Sequence, residues 1–247
     1  MRTIQFTGRA LLVVVAISAG LVPSSTPDAT IIPWAWERRE SLRDLDVTEV
    51  AYLAGTLSSR GGRLEMRRRR QPLFVSSGAT ATPVFRIETR RSEFTADEIA
   101  AVVGAIIGVA VDARATQVQI DFDATASQRT FYRALLNELR RSLPPNTKIS
   151  ITALASWCMD DRWLAGLPID EAVPMLFQMG REGRSIRRRV SRRGEFPEEL
   201  CRGSVGFSTN EPFTPIRDAR RIYIFHPRAW TADAFHAAKQ EVRRWCD

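Results

Sequence analysis

The run Gln117–Asp123 constrains the fold of this chain more than any other segment. Its residues alternate, so a strand here places Gln119, Asp121 and Asp123 on one face and apolar side chains on the other. An amphipathic helical pattern over 127–143 follows, and then a second apolar strand. This order predicts two parallel strands joined by a helix. A polar row on a buried strand is typical of a (β/α)8 barrel, whose functional groups lie at the C-terminal ends of the strands.

Eight apolar segments of strand length recur along the chain, and helical patterns separate most of them. With 247 residues, 44% of them hydrophobic, the chain is long enough for one barrel of about 250 residues. The predicted fold is therefore α/β, a single (β/α)8 TIM-like barrel over 31–247. A doubly wound open sheet is the alternative, but no Gly-rich phosphate loop supports it. The predicted strands are 31–36, 47–57, 83–88, 117–123, 148–155, 173–179, 203–207 and 220–225.

The helical patterns between these strands differ in strength. Thr95 and Glu98 have the spacing of a capping box, which predicts the start of a helix. The segment 58–82 holds two glycine-containing turns and a basic run, so it is interpreted as a hairpin or loop that makes the second βα unit irregular. Helices are predicted at 37–45, 95–111, 127–143, 162–167, 181–190 and 231–245.

Residues 1–23 have the layout of a secretory signal peptide, with Arg2 and Arg9 before an apolar stretch. An uncleaved N-terminal anchor is the alternative interpretation. Either predicts an exported protein, periplasmic or extracellular. Because an oxidising compartment permits disulfides, Cys158 and Cys201 are the favoured pair, since both fall in loops beside predicted strands, whereas Cys246 lies at the chain end.

The net charge of +8 comes from arginine, since the chain contains just two lysines. The clusters at 67–70 and 181–193 contain no interleaved aromatic residues, so a solvated surface is favoured over nucleic-acid binding. No nucleic-acid partner is predicted, and membrane contact is predicted only through an uncleaved N-terminal segment. With two histidines and no CxxC spacing, neither a metal nor another cofactor is predicted.

Polar residues of two neighbouring predicted strands converge at their C-terminal ends. Arg86 and Glu88 share a face of the third strand, beside Asp121 and Asp123 on the fourth. Because adjacent strands lie about 4.8 Å apart, the three acids should form a cluster. Mutual repulsion raises the pKa of at least one carboxyl into the range of a general acid. The alternative is that Arg86 neutralises the acids in a structural ion pair.

Tryptophans also gather at the predicted catalytic face. Trp34 and Trp36 end the first strand, Trp157 and Trp163 follow the fifth, and Trp230 follows the eighth. Aromatic rings can stack on the apolar faces of sugars, so Trp34, Trp36 and Trp157 are predicted to bind substrate. The alternative is that each packs beneath a loop.

Glu211 is a further candidate in the turn-rich loop after the seventh strand. Many barrel glycosidases need a nucleophilic carboxylate at this place, so Glu211 is predicted to contact the substrate. The alternative is an exposed surface acid in a loop rich in turn-forming residues.

Five segments together resemble an uncharacterised bacterial exported family known as domain of unknown function 3142. The resemblance covers nearly all of the chain beyond the N-terminal segment, and it implies no established activity. The segments are 33–37, 86–88, 119–123, 150–158 and 173–180.

The fourth strand is also distantly similar to that of chitinase-like glycoside hydrolases, which carries an acidic run ending in a catalytic Glu. On that pattern Asp123 falls on the catalytic Glu, Asp121 on the middle acid and Gln119 on the first acid. Gln178 stands about where those enzymes use a Tyr to hold the amide of the substrate. The resemblance implies a sugar-facing barrel, and the shorter Asp and the Gln depart from the family pattern.

Together these observations predict an exported glycan-active barrel, a glycoside hydrolase that uses Asp123, Asp121 and Glu88, with Arg86 and Gln178 among its substrate-binding residues. The main alternative is a non-catalytic module that binds a glycan or another cell-envelope polymer. Two further hypotheses are a Ca²⁺ or Mg²⁺ site on the three acids and a partner-binding surface on the arginine clusters.

Overall fold

The computed structural model describes residues 29–60, 63–217 and 219–244, so the predicted signal segment, Trp245 and Cys246 lie outside the described residues. The strands are β1 Thr30–Ala35, β2 Glu40–Leu42, β3 Glu49–Arg60, β4 Arg63–Arg68, β5 Leu73–Val75, β6 Thr80–Glu88, β7 Gln117–Asp121, β8 Lys148–Leu154, β9 Glu171–Met175, β10 Ser204–Ser208 and β11 Arg221–Phe225. The α-helices are α1 Ala96–Asp112, α2 Arg129–Ser142, α3 Gly183–Arg193 and α4 Ala232–Arg243. Within these ranges no helix is long and apolar enough to cross a membrane.

Eight parallel strands close into a barrel in the order β1, β3, β6, β7, β8, β9, β10 and β11. Closure is completed by β1, which pairs with β11 on one side and with β3 on the other. The predicted (β/α)8 barrel is therefore confirmed, and each predicted strand segment overlaps one barrel strand. Because β6 and β7 pair with Arg86 opposite Asp121, the two strands present their polar residues at the same level of the barrel.

Strand alternation separates two apolar cores. Val118 and Ile120 face outward and belong to the cluster that includes the buried helix residue Leu135. The lumen holds a second cluster, in which Trp34 and Val84 are completely buried. This arrangement follows from the period of two along each strand, because neighbouring residues must point to opposite faces.

The N-terminal end of the lumen is filled by a charged network centred on Glu171. Its carboxylate accepts hydrogen bonds from Ser150 at 2.6 Å and from the hydroxyl of Tyr223 at 3.0 Å. Arg221 joins Glu171 at 2.9 Å to Glu49 at 2.7 Å. Burial, reinforced by the charge of Glu171, raises the pKa of Tyr223 far above its ordinary value. This network of paired side chains closes the N-terminal end of the lumen and gives that end a structural role.

The predicted capping box at the start of α1 is present. The backbone N–H of Glu98 donates to Thr95 Oγ1 at 3.2 Å, and the N–H of Thr95 donates to Glu98 Oε2 at 2.9 Å. Hydrogen bonds from Arg91, and then from Thr95, lower the pKa of Glu98 to about 2. The helix therefore begins where the sequence pattern places it, because the first orphan N–H groups find partners there.

Two predicted helices are wrong or shortened. The segment 37–45 forms the short strand β2, which pairs with β5 outside the barrel. The buried carboxylate of Glu40 accepts hydrogen bonds from Arg38 and from the backbone N–H of Trp230, and these contacts favour an extended chain. The segment 162–167 contains a single 3₁₀ turn, which Asp161 caps by accepting a hydrogen bond from the N–H of Trp163.

The structure joins Cys158 to Cys201 with an S–S distance of 2.10 Å, which is the pair favoured from the sequence. Cys158 follows β8 and Cys201 precedes β10. The connection from β8 to β9 contains only a 3₁₀ turn in place of the α-helix of a regular βα unit. The disulfide therefore ties this irregular connection to the chain that enters β10.

Candidate active site at the barrel mouth

The C-terminal ends of the strands surround a pocket of about 550 Å³. One wall is polar and carries Arg86, Glu88, Asp121 and Asp123 from β6 and β7. The sequence therefore placed the three acids and the arginine correctly, because they meet at one pocket. The facing wall is largely apolar and contains Leu154, Met175, Phe177, Met179 and Ile186.

Arg86 binds two of the three acids. Its Nη1 donates to Asp121 Oδ2 at 2.8 Å, and its Nε donates to Glu88 Oε1 at 2.9 Å. Asp121 also accepts a hydrogen bond of 2.8 Å from Thr152 Oγ1. The ion pair foreseen as an alternative is therefore present for Asp121 and Glu88. Charge-assisted hydrogen bonds of this kind fix the Asp121 carboxylate in position beside Asp123.

Asp123 differs from the other two acids because it forms no ion pair within the part of the chain that the structure describes. Its side chain opens into the pocket just beyond the end of β7. Loss of hydration raises the pKa of this carboxyl, the negative charge of Asp121 raises it further, and Arg86 opposes both effects. A carboxyl group with a raised pKa at a strand end is suited to donate a proton.

Trp36 supplies an aromatic surface of the pocket. It is half-buried, and its ring centroid lies 5.9 Å from that of Phe225, which also lines the pocket. The Arg86 guanidinium carbon lies 6.0 Å from the Trp36 ring centroid. The Trp36 ring therefore lies in the pocket, where the predicted stacking on a sugar ring would take place.

Stacking surfaces at Trp34 and Trp157 are wrong predictions, because neither ring reaches the pocket. Trp34 is 0% exposed in the lumen, one layer below Trp36, and packs against Phe225 at 4.4 Å. Trp157 is 3% exposed and packs edge-on against Trp163 at 5.1 Å. Trp163 and Trp230 are buried as well. The alternative that the rings are structural therefore holds for all four, although Trp34 packs inside the barrel lumen and not beneath a loop.

Gln178 lines the pocket, but from the loop after β9 and not from the predicted strand, and it has an unusual backbone. Its φ of 50° lies in the left-handed region, which costs energy for a side chain of this size. The backbone N–H of Gln178 donates to Glu211 Oε1 at 2.9 Å. Arg187 in turn donates to Glu211 Oε2 at 2.7 Å. Glu211 is not among the residues that line the pocket, so its predicted contact with substrate is corrected to a role in holding Gln178.

The Glu211→Ala variant should weaken ligand binding by releasing the Gln178 loop. Because the alanine accepts no hydrogen bond from the N–H of Gln178, the left-handed backbone loses its support, and we expect binding to weaken about tenfold. Glu211→Gln keeps an acceptor and should bind nearly as well as wild type. Calorimetric titration of wild type and both variants with one soluble oligosaccharide measures the three affinities. Equal affinity of Glu211→Ala and wild type would contradict the role.

Sequence reasoning missed two contributions to the pocket. The apolar wall uses Met179 and Ile186 beyond the end of β9, where no alternation pattern remains to assign a direction. Arg67 lines the pocket from β4, opposite Thr56 of β3 in an antiparallel pair. The basic run at 67–70 was visible, but its register against β3 was not.

Among the described residues, no group of three or more His, Cys, Asp or Glu side chains is arranged to hold a metal ion. Arg86 lies between two of the acids that the metal hypothesis required. This arrangement gives no support to a Ca²⁺ or Mg²⁺ site on Glu88, Asp121 and Asp123, which stays a hypothesis.

The chain is similar to a family that has been defined by sequence. Residues 83–176 match the model described as "Domain of unknown function (DUF3142)". The predicted resemblance is confirmed over this segment. The DUF3142 match runs from β6 to the end of β9, so it contains Arg86, Glu88, Asp121 and Asp123, whereas Gln178 lies beyond it. A search of the curated proteins found no match.

Two solved structures resemble the whole barrel. One is a protein from Streptomyces coelicolor assigned as chitinase A, with a TM-score of 0.57 and 9% identity over 87% of this chain and 96% of the other. The second is a fungal endo-β-N-acetylglucosaminidase from glycosyl hydrolase family 18, with a TM-score of 0.53 and 11% identity over 86% and 96% of the two chains. At these identities the likeness establishes the barrel fold.

Proposed function

We propose that this protein is a glycoside hydrolase that cleaves a glycan at the barrel mouth, with Asp123 as the general acid. One observation carries the proposal: Asp123 lines the pocket with a raised pKa and forms no ion pair with any described residue, while Asp121 beside it is held by Arg86. A carboxyl group whose pKa is raised beside a second carboxylate is a usual arrangement for acid catalysis. The similarity to a chitinase and an endo-β-N-acetylglucosaminidase supports a glycan as the substrate.

The proposed chemistry assigns one task to each residue. Protonated Asp123 donates its proton to the oxygen of the leaving sugar as the glycosidic bond breaks. The negative charge of Asp121 raises the proton affinity of Asp123. Continuing the β6–β7 register by two residues sets Glu88 level with Asp123. There its carboxylate can take a proton from the water that attacks the anomeric carbon, so a new C–O bond to water forms as the bond to the leaving oxygen breaks. Trp36 supports a sugar ring, and Gln178 offers an amide for hydrogen bonding.

A non-catalytic glycan-binding module is the second candidate, and two observations favour it. Asp123 is one methylene shorter than the Glu of the chitinase-like pattern. The Asp121 carboxylate is already engaged by Arg86 and Thr152, so it is less available to a substrate. A module of this kind uses the same pocket and Trp36 to bind sugars without cleavage.

A glycan panel separates the two candidates. Protein from Ser24 onward is incubated with soluble and insoluble glycans, and both binding and release of reducing ends are measured for wild type and for Asp123→Asn. Release by wild type that the variant lacks supports the hydrolase. Saturable binding without release favours the binding module, and neither binding nor release would contradict both.

Replacing Asp121 should move the pH profile of cleavage. The charge of Asp121 raises the pKa of Asp123, so Asp121→Asn lowers that pKa. Because the acid must be protonated to donate, activity is lost as pH rises through this pKa, and the alkaline limb should shift to lower pH. Thr152→Val removes a hydrogen bond and keeps the charge of Asp121, so its limb should stay near that of wild type. An unshifted limb in Asp121→Asn would contradict the assignment.

The location we propose is outside the cytoplasm, in the periplasm or the extracellular medium. The signal-like segment 1–23 and the bonded pair Cys158–Cys201 support export, because disulfides persist in oxidising compartments. The corresponding substrate is a glycan or another cell-envelope polymer.

A further inference from the structure

A hairpin forms a wall on one side of the pocket. β1 pairs with β3 only at Ala51 and Tyr52, but β3 continues to Arg60 and pairs antiparallel with β4. The β3–β4 hairpin therefore extends past the end of β1 and flanks the mouth. Within it Arg67 stands opposite Thr56, and both side chains line the pocket.

Three other arginines around the mouth are occupied by internal contacts. Arg86 binds Asp121 and Glu88 as described above. Arg69 donates to the carbonyl oxygen of Trp36 at 2.6 Å. Arg38 donates to Glu40 at 2.7 Å and to the carbonyl oxygen of Pro227 at 2.8 Å. These guanidinium groups hold the fold together and have little capacity left for a ligand.

Arg67 is bound far more weakly. Among the described residues its nearest carboxylate oxygen, on Glu37, lies 3.8 Å away, and the Arg67 side chain is 52% exposed. Glu37 also accepts hydrogen bonds from the backbone N–H groups of Arg70 and Gln71, at 2.9 and 3.1 Å. The charge of Glu37 is therefore shared, and the guanidinium of Arg67 keeps most of its donors for a group in the pocket.

The distribution of charge in the pocket directs an anion toward this wall. Arg67, Thr56, Arg86 and Asp121 form one row across β4, β3, β6 and β7. Asp121 and Asp123 lie at the β7 end of this row, Glu88 on β6 is bound by Arg86, and Glu182 adds a further carboxylate at the start of α3. Arg67 lies at the other end of the row, on the strand farthest from β7, so an anionic group is attracted most strongly beside Arg67.

We infer that the glycan cleaved or bound here carries an anionic substituent, which Arg67 binds. This inference rests on the proposed function and names the substrate class of the same pocket. The planar guanidinium fork matches a carboxylate, a sulfate or a phosphate with two parallel hydrogen bonds. A carboxylated or sulfated sugar can therefore bind with its anionic group on Arg67, while the other pocket residues act at the glycosidic bond.

The test uses three matched probes: glucuronate-containing oligosaccharides, the same oligosaccharides after reduction of their carboxylates to neutral alcohols, and a sulfated derivative of the neutral form. Affinities are measured at about 0.15 M ionic strength, where long-range charge effects are screened. For Arg67→Gln, the ratio of anionic to neutral affinity should fall about tenfold, as expected on losing a charge-assisted hydrogen bond. The anionic probe whose binding falls in Arg67→Gln shows whether Arg67 binds a carboxylate or a sulfate.

Arg68→Gln is the matched control. Arg68 is the next residue of β4, it is 57% exposed, and it contacts Asp112 of α1 at 3.4 Å, so it is absent from the pocket lining. The inference predicts no change of the ratio in this variant. An equal fall in both variants would show a general effect of net charge and overturn the inference.

Two other outcomes separate this inference from the proposed function. If wild type binds and cleaves the neutral probe as well as the anionic ones, and Arg67→Gln has no effect on the ratio, the substrate class is wrong while the hydrolase stands. If wild type binds no glycan of the panel, both the inference and the proposed function fail.

Discussion

Asp123→Asn should lose glycan cleavage by about 10²- to 10⁴-fold, the usual contribution of a general acid, and should also be more stable than wild type near pH 7. The loss follows because asparagine has no proton to give to the leaving oxygen. The gain follows because the pocket disfavours the ionised form of Asp123, as its raised pKa shows. Initial rates and urea unfolding of the two proteins at the same pH measure both effects.

The stability gain of Asp123→Asn should depend on pH, and the raised pKa of Asp123 determines the direction of that dependence. The pKa of Asp123 is raised above its ordinary value of 3.8, so the folded protein binds this proton more tightly than the unfolded chain does. Wild type is therefore relatively most stable below pH 3.8 and loses stability as pH rises through the folded pKa. The advantage of Asp123→Asn should be present at pH 7 and absent near pH 3. Asp44→Asn, which removes an exposed carboxyl away from the pocket, should show no such gain.

An Asp123→Asn variant that is less stable than wild type at pH 7 would mean that the carboxylate is stabilised by its surroundings. That result would contradict the assignment of Asp123 as a strained functional group, whatever the effect on cleavage.

Removing the disulfide should cost about 4 kcal/mol of unfolding free energy, from the chain entropy of a closed loop of this length. Cys158 and Cys201 are separated by 43 residues and are both 1% exposed. The double variant Cys158→Ala with Cys201→Ala should unfold at a lower urea concentration. Reductant should destabilise wild type to a similar extent and should leave the double variant unchanged.

Cys246→Ser is the matched control for this measurement, because Cys246 lies outside the described residues and outside the Cys158–Cys201 pair. It should not change the unfolding midpoint. A loss below about 1 kcal/mol in the double variant would contradict a bracing role for the bond in the irregular β8–β9 connection.

The barrel and its polar wall were predictable because strand alternation determines the side on which each residue lies. Gln119 and Asp121 had to share a face, and the carboxyl ends of neighbouring parallel strands had to meet. Placing Arg86 opposite Asp121 required only that the third and fourth predicted strands be adjacent, which the short αβ connections favour.

Strand alternation could not predict how deep a side chain lies in the barrel or which residues of different loops contact each other. Trp34 and Trp36 share a face, so alternation alone could not show that Trp34 lies one layer lower, against Phe225. The hydrogen bond between Glu211 and the Gln178 backbone joins two loops after different strands, and no local pattern signals it. Arg67 faces the pocket through the register of the hairpin, which a basic run does not reveal.

The most direct measurement of the central claim compares two glycosides of the same sugar, one with a nitrophenolate leaving group and one with a sugar leaving group, for wild type and Asp123→Asn. If Asp123 protonates the leaving oxygen, the variant should retain most activity on the nitrophenolate, which departs without a proton, and lose cleavage of the sugar linkage. An equal loss on both glycosides, or no loss on either, would contradict the role of Asp123 as the general acid.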